Sequence, residues 1–240
     1  MRVLEIWRYP VKSMQGERLD AAGVTATGLV GDRGFALFDA ESGLGLTARR
    51  HPELLHAFGR LGAEGAAEIT LPDGTRSRSD ADLSSWLGRR VELRTADSPA
   101  DSRDDRRFEN PSDFEDEAAP WDVFNGARDA FHDMEGGAVS LVSTGSLRGW
   151  DRRRFRSNLL LGGAGEDDLV GDTVRVGSAV LHVLAQIPRC VMTTREQPGD
   201  ISQDLDVLRT IHRDRNGYLA VAAAVSQAGT ISVADKLALR

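Results

Sequence analysis

The stretch Val174-Arg175-Val176-Gly177-Ser178-Ala179-Val180-Leu181-His182-Val183-Leu184 decides what kind of fold this chain adopts. Apolar residues dominate on both sides of Gly177-Ser178, as they do in short strands that bury a face. A glycine opening a two-residue connection suits a tight hairpin turn. The stretch reads as two antiparallel strands over residues 174–176 and 179–184.

Working outward, the same signal recurs. Short apolar segments at 3–9, 34–38, 44–48, 69–71 and 91–93 predict strands in the first half. Segments at 138–142, 155–161, 219–225 and 231–234 predict them in the second. Residues 39–43 are a polar, glycine-ended hairpin signal, and Pro72-Asp73-Gly74 is a turn. Helices are few. A short one opens at Pro52, with Leu54, Leu55 and Phe58 on one face, and a capped one ends at Gly88. Ser143 or Thr144 caps a third through Leu147 and Trp150, and a fourth spans 204–213. Many short strands with few helices predict a β-rich α+β chain with barrel-like bodies.

The chain has 240 residues, room for one large domain or two small ones. The expected division is a β-barrel domain over 1–97, an acidic connector over 98–122 and a second β-barrel domain over 123–240. Acidic residues crowd 96–122 without apolar periodicity, which reads as a solvated connector. Net charge is −7, so the basic surplus of a nucleic-acid binder is missing. No apolar run is long enough to span a membrane. Charges interrupt Met1-Arg2-Val3-Leu4-Glu5 too early for a signal-peptide core, so export is not expected. The lone Cys190 forms no internal disulfide, which agrees with a reducing cytoplasm, and cannot by itself hold an iron–sulfur cluster.

Cys190 stands in Gln186-Ile187-Pro188-Arg189-Cys190-Val191-Met192-Thr193-Thr194, just past a strand end where side chains line pockets. The adjacent Arg189 favours the thiolate that a soft metal needs. The spacing alone leaves open a buried thiol that packs as a small apolar residue. In Arg152-Arg153-Arg154-Phe155-Arg156-Ser157-Asn158, the first three arginines read as a solvated cationic end. Arg156 and Asn158, two apart, would share one strand face and offer a charged fork and an amide to a phosphate and a heterocycle edge. Tyr9-Pro10-Val11-Lys12-Ser13, Gly31-Asp32-Arg33-Gly34 and Thr47-Ala48-Arg49-Arg50 add further cations and hydroxyls at strand ends. Each is ordinary singly, and together they suit an anionic cofactor.

Other chemistries lack their pattern. His212-Arg213-Asp214 has Leu219 where a kinase loop needs asparagine. Gly162-Gly163-Ala164-Gly165 lacks dinucleotide-site spacing, His51 and His56 lack zinc-pair spacing, and no Gly-x-Ser-x-Gly elbow is present.

In order, these segments resemble the MOSC proteins, named after the C-terminal domain of molybdenum-cofactor sulfurase. More closely, they resemble the branch holding the mitochondrial amidoxime-reducing component and its bacterial relatives. The first half carries Tyr9-Pro10-Val11-Lys12-Ser13, Gly31-Asp32-Arg33 and Thr47-Ala48-Arg49, and the second carries Ser140-Leu141-Val142-Ser143, Arg154-Phe155-Arg156-Ser157-Asn158 and Arg189-Cys190-Val191-Met192-Thr193-Thr194. The resemblance implies an N-terminal MOSC-associated β-barrel domain followed by a MOSC domain. It implies that Cys190 ligates molybdenum and that Lys12, Ser13, Arg33, Thr47, Arg49, Arg156, Asn158 and Arg189 hold the pterin and its phosphate. Asp133, in Phe131-His132-Asp133, matches a family aspartate beside the metal. The implied activity is reduction of N-hydroxylated compounds. Electrons would come from separate proteins, of ferredoxin or cytochrome type with a flavin reductase. The alternative is a carrier of cofactor or persulfide sulfur without turnover. The family usually has proline where Ser157 stands, and often a Val-Asp-Pro run where Arg195-Glu196-Gln197-Pro198 stands, so the substrate rim is expected to differ.

Overall fold

The computed structural model describes residues 1–96, 106–111, 120–125 and 130–240. The hairpin that opened the sequence reading is present. Thr173–Val176 pairs antiparallel with Ala179–Pro188, and Val176 faces Ala179 across the turn. Gly177 has φ of 59°, and a Cβ there would lie 2.3 Å from the Thr230 carbonyl oxygen. Glycine is therefore required by both conformation and space.

Ala179–Pro188 and Tyr218–Gln227 form the long central pair of an eight-stranded sheet, with three register irregularities between them. Such bulges increase twist and help a sheet curl. On one side the sheet continues through Val139–Ser143 and Leu159–Gly162 to Arg2–Arg8 and Glu17–Leu19. On the other it ends at Leu237–Leu239. Arg2 bridges to Lys236, which brings the two sides of the curl together. The inward row includes Val3, Ile6, Leu141, Leu159, Val174 and Val221, all fully buried. The β-rich α+β expectation holds.

The first strand of the chain thus lies in the sheet built by the second half, paired with Leu159–Gly162. Conversely, Gly229–Ser232 pairs with Ala21–Thr25. A separate N-terminal core gathers Leu37, Leu54, Leu55, Ile69 and Leu83. Its helix, Asp80–Leu87, starts where the Ser79 side chain accepts from the Asp82 amide and stops at left-handed Gly88. Both ends follow ordinary capping chemistry.

Four expectations are corrected. Residues 44–48 make no extended strand: Gly45 bridges Phe38 and Phe108, and the chain then turns as the Arg50 and His51 amides donate to Thr47. Pro52–His56 is a 3₁₀ turn that buries Leu54 and Leu55, whereas Phe58 opens the Phe58–Leu61 strand and is exposed. The strand expected from residue 155 begins at Leu159, because Arg152–Arg154 is a 3₁₀ turn and Arg156 has φ of 52°. Finally, the stretch read as a solvated connector contains a hairpin of Arg107–Pro111 with Trp121–Asn125. Phe108 is fully buried against Phe38 and Phe131, which is apolar burial that its acidic neighbours conceal in the sequence. The rest of that connector lies outside the described residues.

Candidate functional site

Loops from both halves surround a cleft of about 800 Å³, including its open mouth. Backbone hydrogen bonds tie these loops to one another. The Lys12 amide donates to Phe35, the Arg33 amide to Tyr9 and the Phe131 amide to Arg33. Three wall residues, Ser13, Arg33 and Arg156, have positive φ of 69°, 52° and 52°. Each such conformation costs about 1–3 kcal/mol in a non-glycine residue and persists only where the surroundings enforce it.

The cations expected from the sequence converge here: Lys12, Arg33, Arg49, Arg156 and Arg189 all line the cleft. Burial lowers the Lys12 pKa, the nearby Asp133 opposes that, and Arg49 and Arg33 reinforce it. Lys12 Nζ donates to the Phe131 carbonyl at 2.8 Å and also binds Asp133. Arg49 donates to the other Asp133 oxygen at 2.6 Å. Burial opposes the ionised form of Asp133, but Arg49 and Lys12 override it and hold this carboxyl far below the usual range. Arg33 pairs with Asp32 and donates to the Arg156 carbonyl at 3.0 Å. Arg156 donates to the Met14 carbonyl and lies over the Tyr9 ring, 4.4 Å from its centroid. Arg189 donates to Leu219 and Phe155 carbonyls at 2.7 and 3.1 Å. Burial lowers the pKa of both Arg156 and Arg189 to about 10, which leaves them charged at neutral pH.

Cys190 is buried, and it joins the site through Arg49 rather than by forming the cleft wall. Burial disfavours the charged form of Arg49, while Asp133 and the neighbouring Cys190 favour it. The Thr193 amide and hydroxyl both donate to the Cys190 carbonyl at 3.0 Å, which fixes the backbone carrying the thiol. Thr47 lines the cleft, and the Ser13 hydroxyl accepts from the Ala48 amide at 2.9 Å.

Two readings of individual residues change. Asn158 lines the cleft, but its Oδ1 accepts from the Ser140 amide and hydroxyl at 3.0 and 2.9 Å. Its Nδ2 donates to the Trp7 carbonyl at 3.1 Å, so the amide pins three strand segments together. The three preceding arginines are not a solvated end. Arg152 pairs with Glu5, Arg153 with Asp151, and buried Arg154 donates to the Thr193, Arg195 and Ser202 carbonyls beyond Cys190. Sequence reasoning also passed over His132 and Ser140, both on the wall. His132 had the signal of adjoining Asp133, and Ser140 that of opening the Ser140-Leu141-Val142-Ser143 segment.

What can the cleft hold? Five cations face two carboxylates, Asp32 and Asp133, so the wall is cationic. Among the described residues, Arg189 Nη2 and His132 Nε2 are buried without a hydrogen-bond partner. Unpaired buried polar atoms of this kind are costly and call for a ligand. An oxygen-rich anion complements them. No cluster of three or more His, Cys, Asp or Glu side chains among the described residues could bind a metal by itself. None of the helices among the described residues is long and apolar enough to cross a membrane.

A β-rich chain with a cationic cleft beside one buried thiol is the class of protein that fold and site define. The MOSC N-terminal β-barrel domain model matches residues 1–121, and the MOSC domain model matches residues 129–238. The chain belongs to the family of proteins that join these two domains. Among solved structures it is similar to the YuaD protein of Bacillus subtilis, at 11% identity and a TM-score of 0.43, over 98% of this chain and 93% of that one. It is similar also to YiiM of Geobacillus stearothermophilus, at 18% identity and a TM-score of 0.36, over 56% of this chain and 72% of that one. Comparison with curated proteins returned no significant match.

Proposed function

We propose that the cleft binds a molybdenum cofactor through its pterin and phosphate, with Cys190 as the protein ligand to the metal, and that the protein reduces N-hydroxylated compounds. The observation that carries this reading is a wall of buried cations, Arg49 among them, with the buried Cys190 beside it. When bound, the cofactor supplies oxygen-atom removal from an N–O bond, consuming two electrons and two protons per turnover.

The residues supply the rest. Arg33, Arg156 and Arg189 present fixed guanidinium groups to the anionic part of the ligand, a use to which planar, always-charged side chains are suited. The left-handed backbone at Arg33 and Arg156 presets their direction. Asp133 holds Lys12 and Arg49 in place and keeps an ionised carboxylate at the cleft. Electrons would come from separate partner proteins of ferredoxin or cytochrome type with a flavin reductase, in a reducing, cytoplasmic setting suited to an unpaired thiol.

Protein made in a cofactor-competent host tests this. Molybdenum and pterin near one per chain are expected, with metal strongly reduced in Cys190→Ser, and reduction of a hydroxylamine or amidoxime when a chemical reductant supplies electrons. Cofactor without turnover would replace the reductase by a carrier. Wild-type protein lacking both pterin and molybdenum would overturn the reading altogether.

A further inference from the structure

In sequence the Phe155–Asn158 segment offers a heterocycle an amide, yet both ends of that amide are already used. Asn158 Oδ1 takes two hydrogen bonds from Ser140 and its Nδ2 gives one to Trp7. The two serine hydroxyls of the wall are engaged as well, while Thr47 adds a further hydroxyl to it. The Ser13 hydroxyl accepts from Ala48, and the Ser140 hydroxyl also donates to Asn158 and accepts from its amide. The cations cannot replace them, since each offers donors only.

His132 differs from all of these. Its side chain is on the cleft wall, the residue is only 8% exposed, and Nε2 is buried with no partner among the described residues. Its backbone is fixed from both sides. The His132 amide donates to Ala130, and Lys12 Nζ holds the preceding Phe131 carbonyl. Burial lowers its pKa to about 4, with Arg33 and Lys12 adding to that effect while Asp32 and Asp133 oppose it. The ring is therefore neutral at physiological pH. One nitrogen then donates and the other accepts, which is the pairing that an uncharged edge of ring nitrogens and carbonyl oxygens requires.

We infer that His132, and not Asn158, reads the uncharged polar edge of the ligand, while the surrounding cations hold its anionic end. This rests on the cofactor-binding reading above and assigns a specificity role within it. His132 sets a neutral ring with an unpaired nitrogen among the cations, the Thr47 hydroxyl and groups already paired. A ligand that is anionic at one end and heterocyclic at the other satisfies both parts of the wall, whereas a simple anion leaves Nε2 unpaired.

The test compares loaded protein, purified from a cofactor-competent host, with the same protein stripped of cofactor. Long-range proton–nitrogen correlation spectra of the histidine rings are recorded, with His132→Gln used to assign the resonance. The His132 Nε2 signal is expected to move between the two states. On dilution His132→Leu should hold pterin about tenfold more weakly than wild type, the effect of one lost hydrogen bond to a buried group. His132→Gln, which can still donate or accept, should recover most of that loss. An unmoved Nε2 signal, or a His132→Leu protein retaining pterin like wild type, overturns the inference while the cofactor reading stands. Should His132→Leu not fold, the wild-type spectra decide alone. Wild-type protein empty of pterin removes both.

Discussion

Replacing Phe108 with alanine tests whether the hairpin within the acidic stretch is part of the folded body. Phe108 is 0% exposed. Its ring lies 5.4 Å from Phe38, 5.9 Å from Phe124 and 6.0 Å from Phe131, centroid to centroid. A Cβ on Gly45 would sit 2.1 Å from its edge, so the opposing backbone is moulded to this ring and cannot collapse far into the space left behind. Unrelaxed Phe→Ala sites cost about 3–5 kcal/mol. For a chain of this size each kcal/mol lowers the unfolding midpoint by roughly 2–4 °C, giving a drop of about 10 °C. The Lys12 ammonium lies 4.7 Å from the ring centroid, so the change also loosens one side of the cleft. Calorimetry or thermal circular dichroism reads the first effect and pterin retention the second. A midpoint within about 2 °C of wild type would show that the hairpin is peripheral and that the packing argument is wrong.

Further outcomes follow from single contacts. Asn158→Leu strands the Trp7 carbonyl and the Ser140 amide in a buried place, with an expected loss of about 2–4 kcal/mol in urea unfolding. Arg154→Met removes the clamp on the chain after Cys190, and faster proteolysis within residues 193–202 is expected with little change in the sheet. The Asp39 pKa falls to about 2, since hydrogen bonds from Ser42 and the Arg89 partner outweigh burial. A depressed carboxylate contributes stability above its ordinary pKa and loses it as pH falls toward the folded value. Wild type should therefore lose about 2 kcal/mol between pH 5 and 2 that Asp39→Asn does not, as measured by unfolding at each pH. Gly177→Ala should disturb the hairpin by at least about 1 kcal/mol, because its left-handed φ and the nearby Thr230 carbonyl leave no room for a methyl group.

The fold was legible where alternation and turn chemistry agree, as around Gly177 and at the Ser79 and Gly88 caps. It was illegible in segments such as Ala21–Thr25 and Gly28–Leu29, whose small residues carry little periodic signal. Their strand character comes from partners far away in sequence. The cations of the cleft could be picked out because arginine and lysine at successive strand ends are unusual in an acidic chain. Their roles could not be, because a side chain's function depends on which of its atoms remain unpaired. Asn158 looked like a ligand group and is a pin. Arg154 looked solvated and is a clamp. His132 drew no notice beside Asp133 yet keeps a buried nitrogen without a partner.

The exchange of strands between the two halves sets an order on assembly. The Arg2–Arg8 and Ala21–Thr25 strands have local partners in Glu17–Leu19 and Gly28–Leu29, but their other edges stay open until residues 159–162 and 229–232 have been made. Pairings so distant in sequence form late. The cleft, whose wall takes Lys12 and Arg33 from one end and Arg156 and Arg189 from the other, exists only once those pairings close. A ligand bound there selects for chains that have completed the exchange and adds its binding free energy to them alone. Any ligand of this cleft therefore acts on the fold as a clasp between the two ends of the chain.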